Sequence, residues 1–305
     1  MALGRTLFIV NPAARHGETR RLLPALERSL GDAADFAVEL SAGPRHAFDL
    51  ARTARGFGTI VAVGGDGTVH EVVNGVMAHK AGERPAFGVV PTGSGNDYAR
   101  TIGMSHDVAA ALAQIAAARL VAVDLGQCNG TWFAESFSAG LDARVTAKAV
   151  EIKQATGLTG LRLYLRALLF VLRNEYHSHP VVIQYDDDEP FETDVLIVAA
   201  TNGPTYGGGF RITPDSVYDD GLLDTCRIDM LPRAEAYARL PFVVAGRHSH
   251  MRPVHMRRAT RITIVSEVPI EGQLDGEVLL ETAYDVTVMP AAMTVLAPAM
   301  SGERR

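Results

Sequence analysis

The sequence of 305 residues predicts two domains, an α/β domain followed by a mainly antiparallel β domain. Short β-branched runs alternate with helical patterns through the first third, whereas strand-like segments follow one another with few helices after about Asp124. Nearly half of the positions, 47%, are apolar, so a chain of this length can bury a full core. We therefore expect a parallel sheet covered by helices first and a mainly antiparallel sheet second.

The first domain begins with alternating strand and helix candidates. Apolar, β-branched runs predict strands at residues 6–10, 36–40, 59–63 and 86–90. Leu22, Leu23, Leu26 and Leu30 recur at helix spacing and predict the first helix. Each strand candidate leads into a glycine-containing or polar turn and then a helix candidate, which is the βαβ pattern of a parallel sheet.

The second domain contains more strand candidates than helix candidates. The strands are expected at residues 131–138, 181–185, 195–201, 261–265 and 284–289, and a last strand at 294–297 could return to complete the first domain. Two segments with apolar residues at helix spacing interrupt them, one marked by Leu161, Leu165, Leu168 and Leu172 and the other at residues 234–245. We expect both apolar stripes to pack in the core.

Composition and charge limit the functional classes. The formal net charge of −6 gives no global attraction to nucleic acid or to an anionic membrane, although a local patch could act. The apolar stretch 161–172 is too short to cross a bilayer. Because the N-terminus lacks the features of a secretory signal, the chain is expected in the cytoplasm. Disorder is expected only at residues 302–305. Cys128 and Cys226 are expected to be reduced, partly buried thiols without a function.

The strongest local pattern is VAVGGDGT at residues 61–68, where a buried strand runs into glycines and then a helix expected to begin near Val69. Gly64, Gly65 and Gly67 permit backbone N–H groups to approach an anion closely. Thr68 can donate a hydroxyl hydrogen bond, and Asp66 could meet a phosphate-bound Mg²⁺ or its water. An ordinary βα turn with a capping Asp or Thr explains an isolated GGDGT equally well.

Two further loops follow predicted parallel strands. The segment PTGSGND at residues 91–97 could place Gly93, Ser94, Gly95, Asn96 and Asp97 beside the same nucleotide. Asn11 and Pro12 come directly after the first strand. The carboxyl ends of parallel strands meet at one edge of a sheet, so the three loops should converge there. Neither a GxxxxGK[ST] P-loop nor a GxGxxG fingerprint after the first strand is present.

Six blocks in this order resemble the diacylglycerol kinase catalytic-domain family, which includes sphingosine and ceramide kinases and bacterial lipid kinases. They are Asn11-Pro12, GGDGT at 64–68, PTGSGND at 91–97, Asn202 with the glycines at 207–209, Pro214 with DGLLD at 220–224, and DGE at 275–277. The resemblance covers nearly the whole chain. It implies a soluble lipid kinase of the bacterial type that transfers the γ-phosphoryl group of ATP to a hydroxyl of diacylglycerol or a related lipid.

The resemblance also implies an arrangement of domains. A nucleotide domain similar to those of NAD kinases and phosphofructokinases would comprise residues 1–125, with residues 290–305 returning to it. A β-sandwich-like lipid and catalytic domain would comprise residues 126–289, with the active site in the cleft between the domains. Acyl chains are expected in an apolar groove of the second domain.

Residue roles follow by the same resemblance. Asn11, Ser41, Gly65 to Glu71 and Ser94 match nucleotide-contacting positions, a set that includes Val69 and His70. Ser41 stands where Thr is commoner, and His70 stands where Asn is often found. Asp275-Gly276-Glu277 resembles the catalytic DGE motif, in which either carboxylate could act as the base; alone, it would fit a charged hairpin turn.

A structural Mg²⁺ is implied at one turn of the second domain. Its ligands would be the Val217 carbonyl, the Asp220 carboxylate and the backbone of Leu222. An Asp-Gly turn without metal is the alternative. The His- and Arg-rich segment 247–258 could touch anionic headgroups or bind a metal, but a solvated loop is expected because its His spacing matches no standard zinc pattern.

The expected partners are a membrane lipid as substrate and, in transient contact, the inner face of the membrane. No nucleic acid is expected as a partner, and a homodimer is possible. Two alternatives remain. A kinase of a soluble substrate such as NAD shares the GGDGT loop, and a non-catalytic lipid-binding protein could retain the fold. The glycine, DG and DGE blocks of the second domain favour the lipid kinase over both.

Overall fold

The computed structural model describes residues 4–14 and 35–298. The helix predicted from Leu22 to Leu30 and the tail at 302–305 lie outside these residues. The chain divides into two compact units, one comprising Met1–Val123 with Ala291–Arg305 and the other Asp124–Pro290. Each unit is described by itself.

The first unit contains a parallel sheet. Its strands are β1 (Thr6–Val10), β2 (Phe36–Leu40), β3 (Thr59–Gly64), β4 (Ala86–Pro91) and the end of β13 (Glu277–Ala297). They lie in the order β2-β1-β3-β4, with β13 next to β4 through the pair Val295 and Phe87. Every residue of β1, β3 and β4 is buried, as expected for a parallel sheet covered on both faces. The predicted parallel α/β architecture is confirmed.

The helices of the first unit follow the strands in sequence. They are α1 (His46–Thr53), α2 (Asp66–Met77), α3 (Asp97–Thr101) and α4 (Val108–Ala116). The prediction that the helix after GGDGT begins near Val69 is wrong by three residues, because α2 begins at Asp66. Gly65 is in an extended conformation before it, so Asp66, Gly67 and Thr68 form the first helical turn.

The second unit is antiparallel throughout the strand pairs described. Its strands are β5 (Arg119–Cys128), β6 (Thr131–Phe133), β7 (Ser136–Gly140), β8 (His179–Tyr185), β9 (Phe191–Thr201), β10 (Leu223–Asp229), β11 (Val254–Ala259), β12 (Arg261–Leu274) and most of β13. They lie in the order β11-β10-β9-β7-β12-β13. The long strands β9 and β12 each pair with β8 along one part and with β7 along another. The mainly antiparallel, sandwich-like second domain is confirmed.

Three helices cover one face of the second unit: α5 (Leu141–Thr156), α6 (Gly160–Asn174) and α7 (Arg233–Val244). One apolar cluster lies among the strands and includes Phe137, Ile183 and Tyr284. A second cluster lies beneath the helices and includes Leu163 and Leu196. Strand β9 contributes to both clusters, which explains why its residues 195–201 are all buried.

The predicted strand at residues 131–138 is interrupted. It forms β6 and β7, separated by Ala134 and Glu135. The backbone N–H groups of Ala134, Glu135 and Ser136 donate to the carboxylate of Asp275 at 2.8, 2.9 and 3.0 Å. Because these amides bond a side chain, the strand ladder breaks at this point. The late candidates at 284–289 and 294–297, by contrast, are parts of the single strand β13.

The expectation that both helical stripes pack in the core is confirmed in part, because Leu172 belongs to the second apolar cluster and Leu168, Leu240 and Val243 pack against it. In α6 the buried residues are Leu163, Ala167, Val171 and Leu172, whereas Leu161 is exposed and Leu165 and Leu168 are half-buried. In α7 no residue is buried. Leu168 and Leu172 of α6 and Leu240 and Val243 of α7 also line a cavity, described below, so the layer beneath these helices is not completely filled.

The segment 247–258 also differs from the expected solvated loop. Residues 254–258 belong to β11, which pairs with β10. The ring of His248 is completely buried, with its Nε2 2.9 Å from the carbonyl oxygen of Ile212. Cys128 and Cys226 are buried and free, and burial raises the pKa of each thiol to about 12.

Among the helices described, none by itself has the length and hydropathy needed to cross a membrane. Taken together, α5 and α6 pass the same test, but they meet at an angle of 117°.

Replacing Tyr284 by Phe tests the packing of the second unit. The Tyr284 hydroxyl is buried, donates to the carbonyl oxygen of Ile270 at 2.6 Å and accepts from the Glu281 N–H at 3.2 Å. Its loss leaves both backbone groups without this partner, so Tyr284→Phe should lower the free energy of unfolding by about 1–2 kcal/mol. Urea denaturation measures the change. Tyr237→Phe, on the exposed side of α7, is the control and should change it by less than about 0.5 kcal/mol.

Candidate nucleotide and catalytic sites

Two glycine loops of the first unit meet backbone to backbone. A Cβ placed on Gly65 would lie 2.9 Å from the Cα of Gly93, and one on Gly95 would lie 2.5 Å from Oδ2 of Asp66. Side chains at these positions would push the loops apart. The GGDGT and PTGSGND loops therefore form one surface. Only glycine at these positions allows the two backbones to approach so closely.

Asp66 joins the two loops by hydrogen bonds. Its Oδ2 accepts from the N–H of Asn96 and its Oδ1 from the N–H of Asp97, both at 2.8 Å. Asn96 has a left-handed backbone, with φ of 55°, and its side chain bonds both the N–H and the carbonyl oxygen of Gly93. Asp66, for which the motif suggested a contact with Mg²⁺, thus holds the neighbouring loop in place.

The first turn of α2 offers backbone amides at the carboxyl edge of the sheet. Gly65 precedes the helix and has no side chain with which to cap it. Asn11 follows β1 and donates from Nδ2 to the Thr68 hydroxyl at 3.1 Å, so the loops after β1 and β3 also meet. A helix N-terminus lined by glycine is a favourable environment for phosphate oxygens.

The remaining predicted nucleotide positions divide by what their side chains contact. The side chain of Glu71 accepts from the N–H groups of Arg45 and Ala47 at 2.9 and 3.0 Å, and so caps α1. Val69 and Ser41 are buried, whereas Gly67 and Ser94 are exposed and Pro12 and His70 are half-buried. Glu71 therefore orders the loop after Ser41, and a ligand would meet Val69 only through its backbone.

Two residues that sequence reasoning missed support these loops. The N–H of Ala42 donates to Nδ1 of His46 at 2.8 Å, which shapes the segment after Ser41. Arg100 pairs with Asp97 at 2.6 Å and donates to the carbonyl oxygen of Gly95 at 3.2 Å. Arg100 follows Asp97 by three residues on a helix, and this spacing could have predicted the pair between the two side chains.

The DGE segment of the second unit forms the two-residue turn between β12 and β13. Asp275 and Gly276 both have positive φ, 49° and 96°, as in the type I′ turns that favour Asp-Gly. Both carboxylate oxygens of Asp275 accept backbone N–H groups from residues 134–136. Gln273 accepts from the N–H of Gly276 at 2.7 Å and fixes the turn from its other side.

Glu277 has a different environment from Asp275. It is exposed at the start of β13, and its carboxylate makes no hydrogen bond or ion pair with the residues that the structure describes. The N–H groups of residues 134–136 already occupy both carboxylate oxygens of Asp275. Of the two acids, Glu277 is therefore the one whose oxygens are available to a substrate hydroxyl.

The predicted Mg²⁺ turn is held by protein groups. The carboxylate of Asp220 pairs with the guanidinium of Arg258 and accepts from the N–H of Leu222 at 3.1 Å. The N–H of Gly221 donates to Asp124 at 2.6 Å. A cation at Asp220 would share this carboxylate with Arg258. The magnesium site at Val217, Asp220 and Leu222 stays a prediction.

A cavity of about 100 Å³ lies between the helices and the sheet of the second unit. Its walls are largely apolar and include Leu168, Leu172, Leu196, Leu240 and Val243, with Arg239 among the few charged groups. Leu168 and Leu172 of α6 and Leu240 and Val243 of α7 thus face open space. A cavity of this chemistry suits a hydrocarbon chain.

Asp142 is a half-buried acid that lines this cavity, and sequence reasoning missed it. The Ser138 hydroxyl donates to its Oδ2 at 2.5 Å, and Tyr206 also hydrogen-bonds to it. Burial raises the pKa of Asp142 to about 6, with the hydrogen bonds opposing that shift. Its place directly after the Gly140 turn, in the first turn of α5, was the available signal.

Comparisons with known proteins identify the family that each unit matches. Residues 5–128 match the diacylglycerol kinase catalytic domain, and residues 135–297 match the YegS C-terminal NAD kinase beta sandwich-like domain. A diacylglycerol kinase of Mycobacterium tuberculosis is 28% identical over 306 residues, which cover 97% of this chain and 96% of that protein.

Solved structures share the fold. The crystal structure of a diacylglycerol kinase from Bacillus anthracis has a TM-score of 0.73 at 23% identity, covering 96% of this chain and 97% of that one. An NAD kinase from Archaeoglobus fulgidus in complex with ATP has a TM-score of 0.54 at 13% identity, covering 96% and 94%.

Gly93→Ala tests the contact between the glycine loops. The added Cβ would overlap the Cα of Gly65 and approach Oδ1 of Asn96 to 2.8 Å, so the loops must separate. We expect nucleotide affinity to fall at least about tenfold, or roughly 1.4 kcal/mol, by titration calorimetry. Gly43→Ala is the control, because its Cβ would meet no atom within 4 Å. Equal affinities for Gly93→Ala and the native chain would show that the loop contact does not shape the nucleotide site.

Asp142 predicts a specific dependence of stability on pH. Its pKa is raised from 3.8 to about 6, so between these values the folded protein holds a proton that the unfolded chain has released. The contribution of Asp142 to the free energy of unfolding therefore falls as pH rises from about 4 to about 6, by about 2–3 kcal/mol. Urea denaturation across this range should show a smaller decline for Asp142→Asn than for the native chain. Parallel curves for the two proteins would contradict the assignment.

Proposed function

Because the chain belongs to the diacylglycerol kinase catalytic-domain family and is a kinase by that membership, we propose that it transfers the γ-phosphoryl group of ATP to a lipid hydroxyl. Diacylglycerol is the acceptor that the relatives' names favour. The apolar cavity of the second unit is the observation that supports a lipid as the acceptor. Its largely apolar walls suit a hydrocarbon chain better than a charged, soluble dinucleotide.

The first unit supplies the ATP site in this proposal. The glycine loops let backbone N–H groups approach the phosphates, and the α2 N-terminus adds its favourable dipole. Asp66, Glu71 and Asn11 act indirectly, because their side chains hold the loops and helices that surround the phosphates. Preorganised amides of this kind stabilise charge on the transferring group without rearrangement during the reaction.

Mg²⁺ belongs to the proposal as the ion that accompanies ATP, where it would neutralise phosphate charge. The Val217, Asp220 and Leu222 turn is given no role in transfer, because Arg258 already pairs with its carboxylate.

The second unit supplies the acceptor and the base. Glu277 would accept the proton of the lipid hydroxyl while the hydroxyl oxygen attacks the γ-phosphorus. The bond from that phosphorus to the bridging oxygen of ADP would then break. Asp275 would act as a positioning residue, because its carboxylate ties the turn to residues 134–136. The cavity would take part of an acyl chain and so orient the hydroxyl.

Two substitutions separate these roles. Glu277→Gln removes the proton acceptor from an exposed position, so kcat should fall by roughly 10²–10⁴-fold while the melting temperature stays unchanged. Asp275→Asn sets an amide NH₂ against backbone N–H groups, so it should lower the melting temperature as well as activity. Labelled ATP with diacylglycerol in mixed micelles measures transfer. If Glu277→Gln kept full activity, Glu277 could not be the base.

The same assay distinguishes the alternatives. NAD offered beside diacylglycerol should receive no label; labelled NADP as the main product would favour the kinase of a soluble substrate. Lipid binding without any ATP-dependent product, with Mg²⁺ supplied, would favour the non-catalytic lipid-binding protein. A panel of ceramide, sphingoid base, phosphatidylglycerol and polyprenol then identifies the acceptor among lipids.

A further inference from the structure

We propose that the outer face of α6 docks on an anionic lipid surface, and this inference rests on the proposed function in that the acceptor is a membrane lipid. The α6 face is defined by five residues: Arg162, Arg166, Leu169, Phe170 and Arg173. The inner side of the same helix contributes Leu168 and Leu172 to the cavity wall. One helix thus separates the apolar cavity from the proposed docking surface.

Large apolar groups are exposed on this face. Leu169 is 47% and Phe170 38% exposed, although α6 buries its opposite side through Leu163, Ala167 and Val171. An exposed leucine and phenylalanine next to each other on a helix can enter the region between lipid headgroups and acyl chains.

The charges of α6 are all of one sign. The helix contains Arg162, Arg166 and Arg173 and no acidic residue, although the chain as a whole carries a net charge of −6. All three arginines are exposed, and their guanidinium groups form no hydrogen bond or ion pair within residues 4–14 and 35–298. Each such base close to an anionic membrane contributes about 1 kcal/mol of attraction.

A second exposed apolar patch of the same unit shows the contrast. On β12 and β13, Val268 and Leu280 are 60% and 59% exposed, but Glu267 and Glu281 are their sequence neighbours. Carboxylates at that position would be repelled by an anionic lipid surface. Exposure of apolar groups therefore does not by itself distinguish the α6 face; its combination with unpaired arginines does.

A second copy of the chain suits the α6 face less well than a lipid surface. In a symmetric dimer the same patch lies on both sides of the interface, so the arginines of one copy would lie against the equally positive patch of the other. Like charges brought together in this way are unfavourable. An anionic bilayer supplies the opposite charge and also accepts Leu169 and Phe170.

Vesicle binding without ATP tests the surface apart from catalysis. Vesicles of equal parts phosphatidylglycerol and phosphatidylcholine should bind the native chain in flotation assays, and pure phosphatidylcholine vesicles should bind it much less. Arg162→Glu with Arg166→Glu should weaken binding to the anionic vesicles by on the order of tenfold or more. Leu169→Asp should weaken it roughly tenfold through lost apolar burial. High salt should weaken binding of the native chain.

Two matched controls change the same chemistry elsewhere. Arg119→Glu reverses an exposed arginine outside α6, and Val268→Asp places an acid at the exposed position of β12. Both should bind vesicles as the native chain does. Unchanged binding by the α6 variants, equal losses in the controls, or no vesicle binding by the native chain would each overturn the proposal. So would light scattering that showed a dimer dissociated by Leu169→Asp with vesicle binding intact.

An activity measurement separates this proposal from the proposed function. Short-chain diacylglycerol dissolved as monomers should be phosphorylated by the α6 variants at the native rate, whereas long-chain diacylglycerol in anionic vesicles should be phosphorylated more slowly. Equal rates on both substrates for native and variant chains would contradict docking through α6. If no diacylglycerol is phosphorylated at all, the proposed acceptor is wrong, but vesicle binding still decides the docking surface.

Discussion

Carboxylates that accept hydrogen bonds from the backbone N–H groups of another loop determine the shape of both candidate sites. Asp66 holds residues 96 and 97, and Asp275 holds residues 134–136. Hydrogen bonds to a charged group contribute roughly 1.5–3 kcal/mol each. These bonds fix the backbone that would meet phosphate or substrate.

This use of acidic residues changes how the motifs are interpreted. In GGDGT the acid is adjacent to the glycines that approach phosphate, and in DGE two acids flank one glycine, so a catalytic or metal-binding role is the natural first interpretation of each. The structure gives Asp66 and Asp275 backbone partners and leaves Glu277 exposed. The physical difference is the number of N–H groups already directed at each carboxylate, since oxygens that accept these bonds are less accessible to a substrate hydroxyl or a cation.

The helical layer of the second unit combines two roles in one element. Helix α6 packs on the sheet through Leu163, Ala167 and Val171, lines a cavity with Leu168 and Leu172, and exposes arginines to solvent. Helix α7 buries no residue fully but contributes Leu240 and Val243 to the same cavity. Leucines at regular helix spacing therefore indicate an apolar environment without specifying whether it is filled by protein or left open for a hydrocarbon ligand.

The sequence by itself determined the architecture and the position of the glycine loops. Alternation of strand and helix patterns required a parallel sheet, and the ordered blocks from Asn11 to Glu277 indicated the family, because backbone periodicity and glycine positions are local properties. Only the tertiary structure decided which acids are already bonded, that Arg258 meets Asp220, and that the leucines of α6 face a cavity. Those contacts join residues as far apart in the chain as 134 and 275, and their chemistry depends on partners that no local pattern specifies.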